Sequence, residues 1–262
     1  MTVVRFAGAL LGALLFVTPA RAQEAPDFNW EGALAAGTTL EVLGINGRIE
    51  AGPASGGTAS VQATREAKRG ADPEDVTMAV TEHAGGVRIC AVYPTRDGGR
   101  TTCDEDGIHG RMEDNDVEVN FVVAVPTGVR FHPTTVNGGI EANDLRGDVK
   151  AQSVNGGIMV FGTGTVEAKT VNGEIDAGIG SDSWTGTLSF ETVNGQISVR
   201  LPATVSAEVE AETVNGGLSS DFPLTMRPGR SWGPRRMEGT IGKGGSRLTL
   251  ETVNGGIELR RG

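Results

Sequence analysis

Few residues of this chain could do chemistry near neutral pH. Its three histidines, His83, His109 and His132, are scattered, and none has the His-Glu-x-x-His spacing of a metal site. No Gly-x-Ser-x-Gly elbow presents a nucleophile. Tyr93 is the single tyrosine, and it and the cysteines complete no nucleophile–base arrangement. The string Ile241-Gly242-Lys243-Gly244-Gly245-Ser246 lacks the spacing of a phosphate loop and no helix follows it, so it reads as a turn. The loop Asp104-Glu105-Asp106-Gly107 through Glu113-Asp114-Asn115-Asp116 offers the oxygen ligands that weak Ca2+ binding would use. Its spacing fits neither an EF-hand, where Ile108 falls on a ligand position, nor a calcium-binding nonapeptide. A solvated loop is the expectation, with no catalytic residue, no resident metal and no cofactor.

Two other groups bear on chemistry. Cys90 and Cys103 lie close in sequence, and in an oxidising compartment they are expected to form a disulfide. Glu191, Glu212 and Glu251 each stand three residues before a repeated asparagine, with Glu208 and Glu210 on the same parity. If those segments are adjacent strands, like charges are brought side by side, which destabilises. The arginines Arg227, Arg230, Arg235 and Arg236 lie in a Pro/Gly-rich insert, which we expect to fold back over this row.

The elements that position these groups come from a repeat. TTVNGGIEA (134–142), QSVNGGIMV (152–160), KTVNGEIDA (169–177), ETVNGQISV (191–199), ETVNGGLSS (212–220) and ETVNGGIEL (251–259) share one grammar, and GINGRIEA (44–51) is a degenerate copy. The repeated Asn137, Asn155, Asn172, Asn194, Asn215 and Asn254 are spaced 18, 17, 22, 21 and 39 apart, as if one unit had lost its Asn-Gly. Before each Asn runs a period-2 strand, as in Leu188, Phe190 and Thr192; after the Gly comes a second, short one, as in Ile197 and Val199. Asn-Gly between strands could be a row of type I′ hairpins, giving an antiparallel meander or sandwich. An Asn that never varies fits better a β-solenoid, where stacked amides hydrogen-bond along a ladder. Thr170 and Asn172 share a parity, so the Asn row is expected on the core side with Asn254 at its end. The valines Val136, Val154, Val171, Val193, Val214 and Val253 have the opposite parity, and we expect the corner to turn them inward. Should they face out, Val193 and Val214 join the five glutamates in a candidate binding face.

Composition bounds the rest. The net charge is −10, and −12 without residues 1–22, which hold Arg5 and Arg21 and no acid. Such a chain is not built for nucleic acid or an anionic lipid surface. Forty glycines and 5% aromatics suit tight turns and a thin core repeated along an axis. Arg5, the apolar run Ala7 to Val17 and the small-x-small Ala20-Arg21-Ala22 make residues 1–22 a signal peptide. The expected organisation is therefore 1–22 signal peptide, 23–125 an irregular β portion with the Cys loop, and 126–262 the regular stack. No later stretch reads as a membrane span. The expected location is the periplasm or the cell surface.

The TVNGxI units, the opening FNWEGALAAGTTLEVLGINGRIE (28–50), DVEVNFVVAVPTGV (116–129) and GTIGKGGSRLTLETVNGGIELRRG (239–262) together resemble a bacterial adhesin-like family of exported β-repeat proteins, related to autotransporter adhesin head domains. The resemblance implies an all-β, right-handed parallel β-helix-like solenoid. It also implies an adhesin-like binding or structural role at the cell envelope, toward an envelope protein or polysaccharide. It supplies no catalytic motif. Two other readings remain open: a polysaccharide-active β-helix enzyme, and an envelope sensor domain acting through a protein partner.

Overall fold

The computed structural model describes residues 27–68, 71–104, 107–112, 116–227 and 233–262. The signal-peptide segment, Glu105, Asp106, 113–115 and Arg230 lie outside the described residues.

The chain is all-β, wound between two sheets that enclose one core. The first sheet runs, in spatial order, Phe28–Ala33, Thr58–Ala67, Val117–Val125, Ile49–Pro53, Ile140–Leu145, Ile158–Gly162, Ile175–Gly178, Ile197–Leu201, Ile257–Arg261 and Leu218–Ser220. The second runs Thr225–Arg227, Arg235–Ile241, Ala207–Asn215, Ser246–Asn254, Thr187–Asn194, Val166–Lys169, Val149–Gln152, Arg130–Thr134, Thr39–Leu43, Gly86–Val92 and Thr77–His83. Each coil climbs one strand of the second sheet, turns at Val-Asn-Gly, and descends one strand of the first. Successive coils pair in parallel, in register: Ile49, Ile140, Ile158, Ile175, Ile197 and Ile257 face one another across neighbouring strands. All six are almost fully buried. This isoleucine column is the last letter of the repeat, and it faces Phe131, Val149, Val166, Phe190 and Leu250 from the other sheet.

The parallel pairing is that of a β-solenoid; the antiparallel meander applies only at the ends. Phe28–Ala33, Thr58–Ala67 and Val117–Val125 pair antiparallel beyond the first coil, and Thr77–His83 pairs antiparallel with Gly86–Val92. At the other end Thr225–Arg227 and Arg235–Ile241 form an antiparallel hairpin against Ala207–Asn215. Such closing strands keep long parallel edges from meeting another chain. Thr39–Leu43 and Ile49–Pro53 form the first coil, paired with Arg130–Thr134 and Ile140–Leu145.

The coils are not stacked in chain order. The C-terminal coil, Ser246–Asn254 and Ile257–Arg261, lies between the Asn194 coil and the Asn215 coil and pairs in parallel with both. The 39-residue spacing is thus no lost Asn-Gly, as the sequence suggested. The chain leaves the Asn215 coil, forms the hairpin, crosses over at Gly242, Gly244 and Gly245 (all at positive φ) and enters the slot behind it. Asn254 is interior to the stack, and Asn215 is its last member.

Candidate functional site

The corner explains every letter of the motif. The Thr or Ser hydroxyl points inward and donates to the Gly carbonyl of the adjacent coil: Thr135 to Gly47, Ser153 to Gly138, Thr170 to Gly156, Thr192 to Gly173, Thr252 to Gly195 and Thr213 to Gly255, at 2.8–3.0 Å. The Gly is required by approach, not by backbone angle. Gly138, Gly156, Gly173, Gly195, Gly216 and Gly255 all avoid positive φ. A Cβ at Gly195 would lie 1.9 Å from the Gly173 carbonyl oxygen, a distance no structure tolerates. Arg235 closes the series, its guanidinium donating to the Gly216 carbonyl at 2.6 Å where no further coil supplies a hydroxyl.

The asparagines form one continuous ladder of side-chain amides. Asn137 donates to Asn46, Asn155 to Asn137, Asn172 to Asn155, Asn194 to Asn172, Asn254 to Asn194 and Asn215 to Asn254, at 2.7–2.9 Å. The ladder is exposed, not on the core side as parity suggested, because the chain bends at Val-Asn and the period-2 count stops at the Thr. The same bend leaves the valines outside. Val154, Val171, Val193, Val214 and Val253 are 36–47% exposed, and Val136 is half-buried. The expectation that the corner turns them inward is therefore corrected. Five of the nine large hydrophobic side chains exposed among the described residues belong to this one row. Scattered single residues would call for no explanation; a contiguous row makes this face the candidate site.

Beside the valines runs a charged row. In register across the second sheet stand Lys169, Glu191, Glu251, Glu212 and Arg236. Lys169 pairs with Glu191 at 2.7 Å and Arg236 with Glu212 at 2.8 Å. The Lys169 hydrogen bond, aided by Ser189, holds the Glu191 carboxyl below its ordinary value against a smaller opposing effect of burial. Glu251, between the two other carboxylates, has no ion pair among the described residues. Glu208 faces Arg247 at 3.8 Å, and Glu210 stands opposite Glu238, itself held by Arg227 at 2.5 Å. The insert therefore does not fold over the glutamates. Its described residues add strands to the sheet edge, and of its described arginines only Arg236 pairs with a glutamate of the row. Lys169, Glu191, Glu251 and Glu212, with Val171, Val193, Val253 and Val214, line a shallow groove of about 310 Å³.

The remaining groups lie elsewhere. Cys90 and Cys103 are disulfide-bonded, which ties the small hairpin Thr102–Asp104 and Gly107–His109 to the strand Gly86–Val92. The fold also gathers groups that sequence reasoning kept apart. Glu41 is held by Arg88, lies 3.7 Å from His83, and is registered beside His132. Burial pushes the His132 imidazole below its ordinary value, with Glu41 opposing. Nothing in the sequence marked Glu41, since its partners come from three different strands. His109 bonds Asp104 at 2.8 Å. Among the described residues no group of three or more His, Cys, Asp or Glu could hold a metal ion, and the acidic loop falls largely outside them.

Residues 134–260 match the family model described as Toastrack DUF4097. No curated protein matches the chain. Among solved structures it is similar to a "putative cell adhesion protein" from Clostridium sporogenes, at 11% identity and TM-score 0.46 over 90% of this chain and 99% of that one. It is also similar to a "putative adhesin" from Bacteroides fragilis, at 10% identity and TM-score 0.38 over 88% of this chain and 96% of that one.

Proposed function

We propose that this chain, whose residues 134–260 match the Toastrack family model, is an exported, adhesin-like binding module of the cell envelope that performs no catalysis. Its docking surface is the outward face of the corner: the valine row, the asparagine ladder beside it and the flanking carboxylates. The single observation that carries this reading is the exposure of the repeated valine in five of its six units. A folding requirement would place that residue inside, as it places the isoleucine. A surface with no use would not keep it apolar in every copy. Supporting the same reading, hydrogen-bonded parallel coils repeat the side chain about every 4.8 Å. A flat, rigid array of identical side chains offers contact without ordering cost. The signal-peptide pattern of residues 1–22 and the Cys90–Cys103 pairing expected in an oxidising compartment support export. No helix among the described residues is long and apolar enough to cross a membrane.

The test is site-specific photo-crosslinking in the producing cell. A photoreactive residue at Val193 should give a discrete adduct, while one at Val122, equally exposed on the other sheet, should not. Equal labelling at both positions, or adducts at Val122 alone, would refute the assignment of the surface.

A further inference from the structure

The charge pattern around the groove narrows the partner, given the reading that the valine face is the docking surface. In the row nearest the valines three carboxylates stand side by side, Glu191, Glu251 and Glu212, and among the described residues only the outer two have cations. The neighbouring row, two residues earlier on each strand, is arranged differently. There Arg88 pairs with Glu41, and Lys150 with Glu167 at 3.9 Å. In that row Glu210, opposite Glu238, has no cation among the described residues, but it lies off the groove; within the groove the carboxylate left without one is Glu251, in the middle, beside four valines.

We propose that the groove receives a basic side chain, Lys or Arg, from an extended, apolar-flanked segment of a partner protein. The aliphatic stem lies on Val193 and Val253 and the charged head completes the row at Glu251. Long basic side chains are suited to this, having an apolar stem and a cationic tip. The other occupants fit less well. A calcium ion needs six to eight oxygens, and Glu191 and Glu212 already hold Lys169 and Arg236. A second copy in a two-fold contact centred on Glu251 would face Glu191 with Glu212 and Lys169 with Arg236, like charge against like.

The probe is the acetylated, amidated peptide Val-Gln-Val-Gln-Arg-Gln-Val-Gln-Val, which puts arginine and valines on one face, against the same peptide with citrulline for arginine. Citrulline keeps the shape and removes the charge. Binding to the full chain is read by calorimetry at low salt. The arginine peptide should bind and the citrulline peptide should lose most of its affinity. E251Q should weaken the arginine peptide about two- to fivefold, as an exposed ion pair allows, and leave the citrulline peptide unchanged. E210Q, an outward carboxylate off the groove, should change neither. Indifference to citrulline or to E251Q overturns the proposal. So does a melting temperature that calcium raises in the parent and not in E251Q, which would give the site to an ion. A dimer strengthened by E251Q would give it to a second copy. If the peptides fail while Val193 still crosslinks in the cell, only the partner class falls; if Val193 crosslinks to nothing, the docking surface itself is wrong.

Discussion

The side-chain amide of Asn254 donates to the amide oxygen of Asn194 at 2.8 Å, sixty residues away in the chain. That bond accompanies the parallel pairing that holds the C-terminal coil inside the stack, ahead of a coil synthesised earlier. It also reverses the ranking that chain order alone would give. Asn254 makes two ladder bonds and Asn215 one. Asn254→Ala should therefore cost about 1 to 2 kcal/mol and Asn215→Ala less than about 1 kcal/mol, at roughly 1 kcal/mol per hydrogen bond. Urea denaturation of the two variants checks the order; equal losses would mean the ladder adds nothing beyond solvated amides.

Removing the C-terminal coil has a larger consequence. A chain ending at Gly245 leaves the strands Ala207–Asn215 and Leu218–Ser220 with no parallel neighbour and exposes Leu250, Ile257 and Leu259's partners in the core. Amide exchange should show protection lost from Ala207 onward and kept across the coils that end at Asn194. Retained protection over 207–220 would show that this coil closes directly on Asn194.

The glycines separate two kinds of requirement. Gly195→Ala drives a methyl into the Gly173 carbonyl, and should prevent folding or cost several kcal/mol, on the scale of about 4–5 kcal/mol that marks severe steric damage. Gly217→Ala meets nothing within 4 Å and should fall within about 0.5 kcal/mol of the parent. Thermal melts of the pair decide it, and comparable melting temperatures would contradict the close coil contact.

The Cys90–Cys103 bond closes a loop of sequence separation 13, worth about 3 kcal/mol in the chain-entropy model. Replacing both cysteines by Ala should lower stability by about that amount, while Asn155 and Asn172 keep their amide protection. Intact mass before and after reduction should differ by two hydrogens; free thiols in the unreduced protein would contradict the bond.

Acid should act through His132. Burial, the main effect, holds its pKa in the fold below the ordinary 6.5, so the unfolded chain takes up the proton first. Its contribution is present above pH 6.5 and is lost as pH falls from there through the folded value. His132→Gln should flatten the fall in melting temperature below pH 6.5, and NMR titration of the ring should show the lowered midpoint. A midpoint at or above 6.5 would contradict the buried setting.

Much of this was legible in the sequence, for a definable reason. A period-2 strand, a buried hydroxyl and an invariant Asn each leave a local trace, so the all-β solenoid and the ladder could be read from residues such as Thr170, Asn172 and Ile175. Orientation at the corner could not. Whether Val193 faces in or out depends on where the chain bends, and parity counting carried one residue too far. The out-of-order coil was hidden more deeply, since a parallel stack accepts Asn254 beside either Asn194 or Asn215 with the same local contacts. Arg236 was picked out, but its route along the sheet edge depends on the hairpin's antiparallel register with Ala207–Asn215.

The exposed valines should serve binding and not folding. The most direct measurement compares Val193→Glu with Val122→Glu for circular dichroism, melting temperature and co-sedimentation with the envelope fraction of the producing cell. Both variants should melt within a few degrees of the parent, and only Val193→Glu should lose co-sedimentation. If Val193→Glu unfolds the chain, or leaves co-sedimentation equal to that of Val122→Glu, the valine row is not the binding surface.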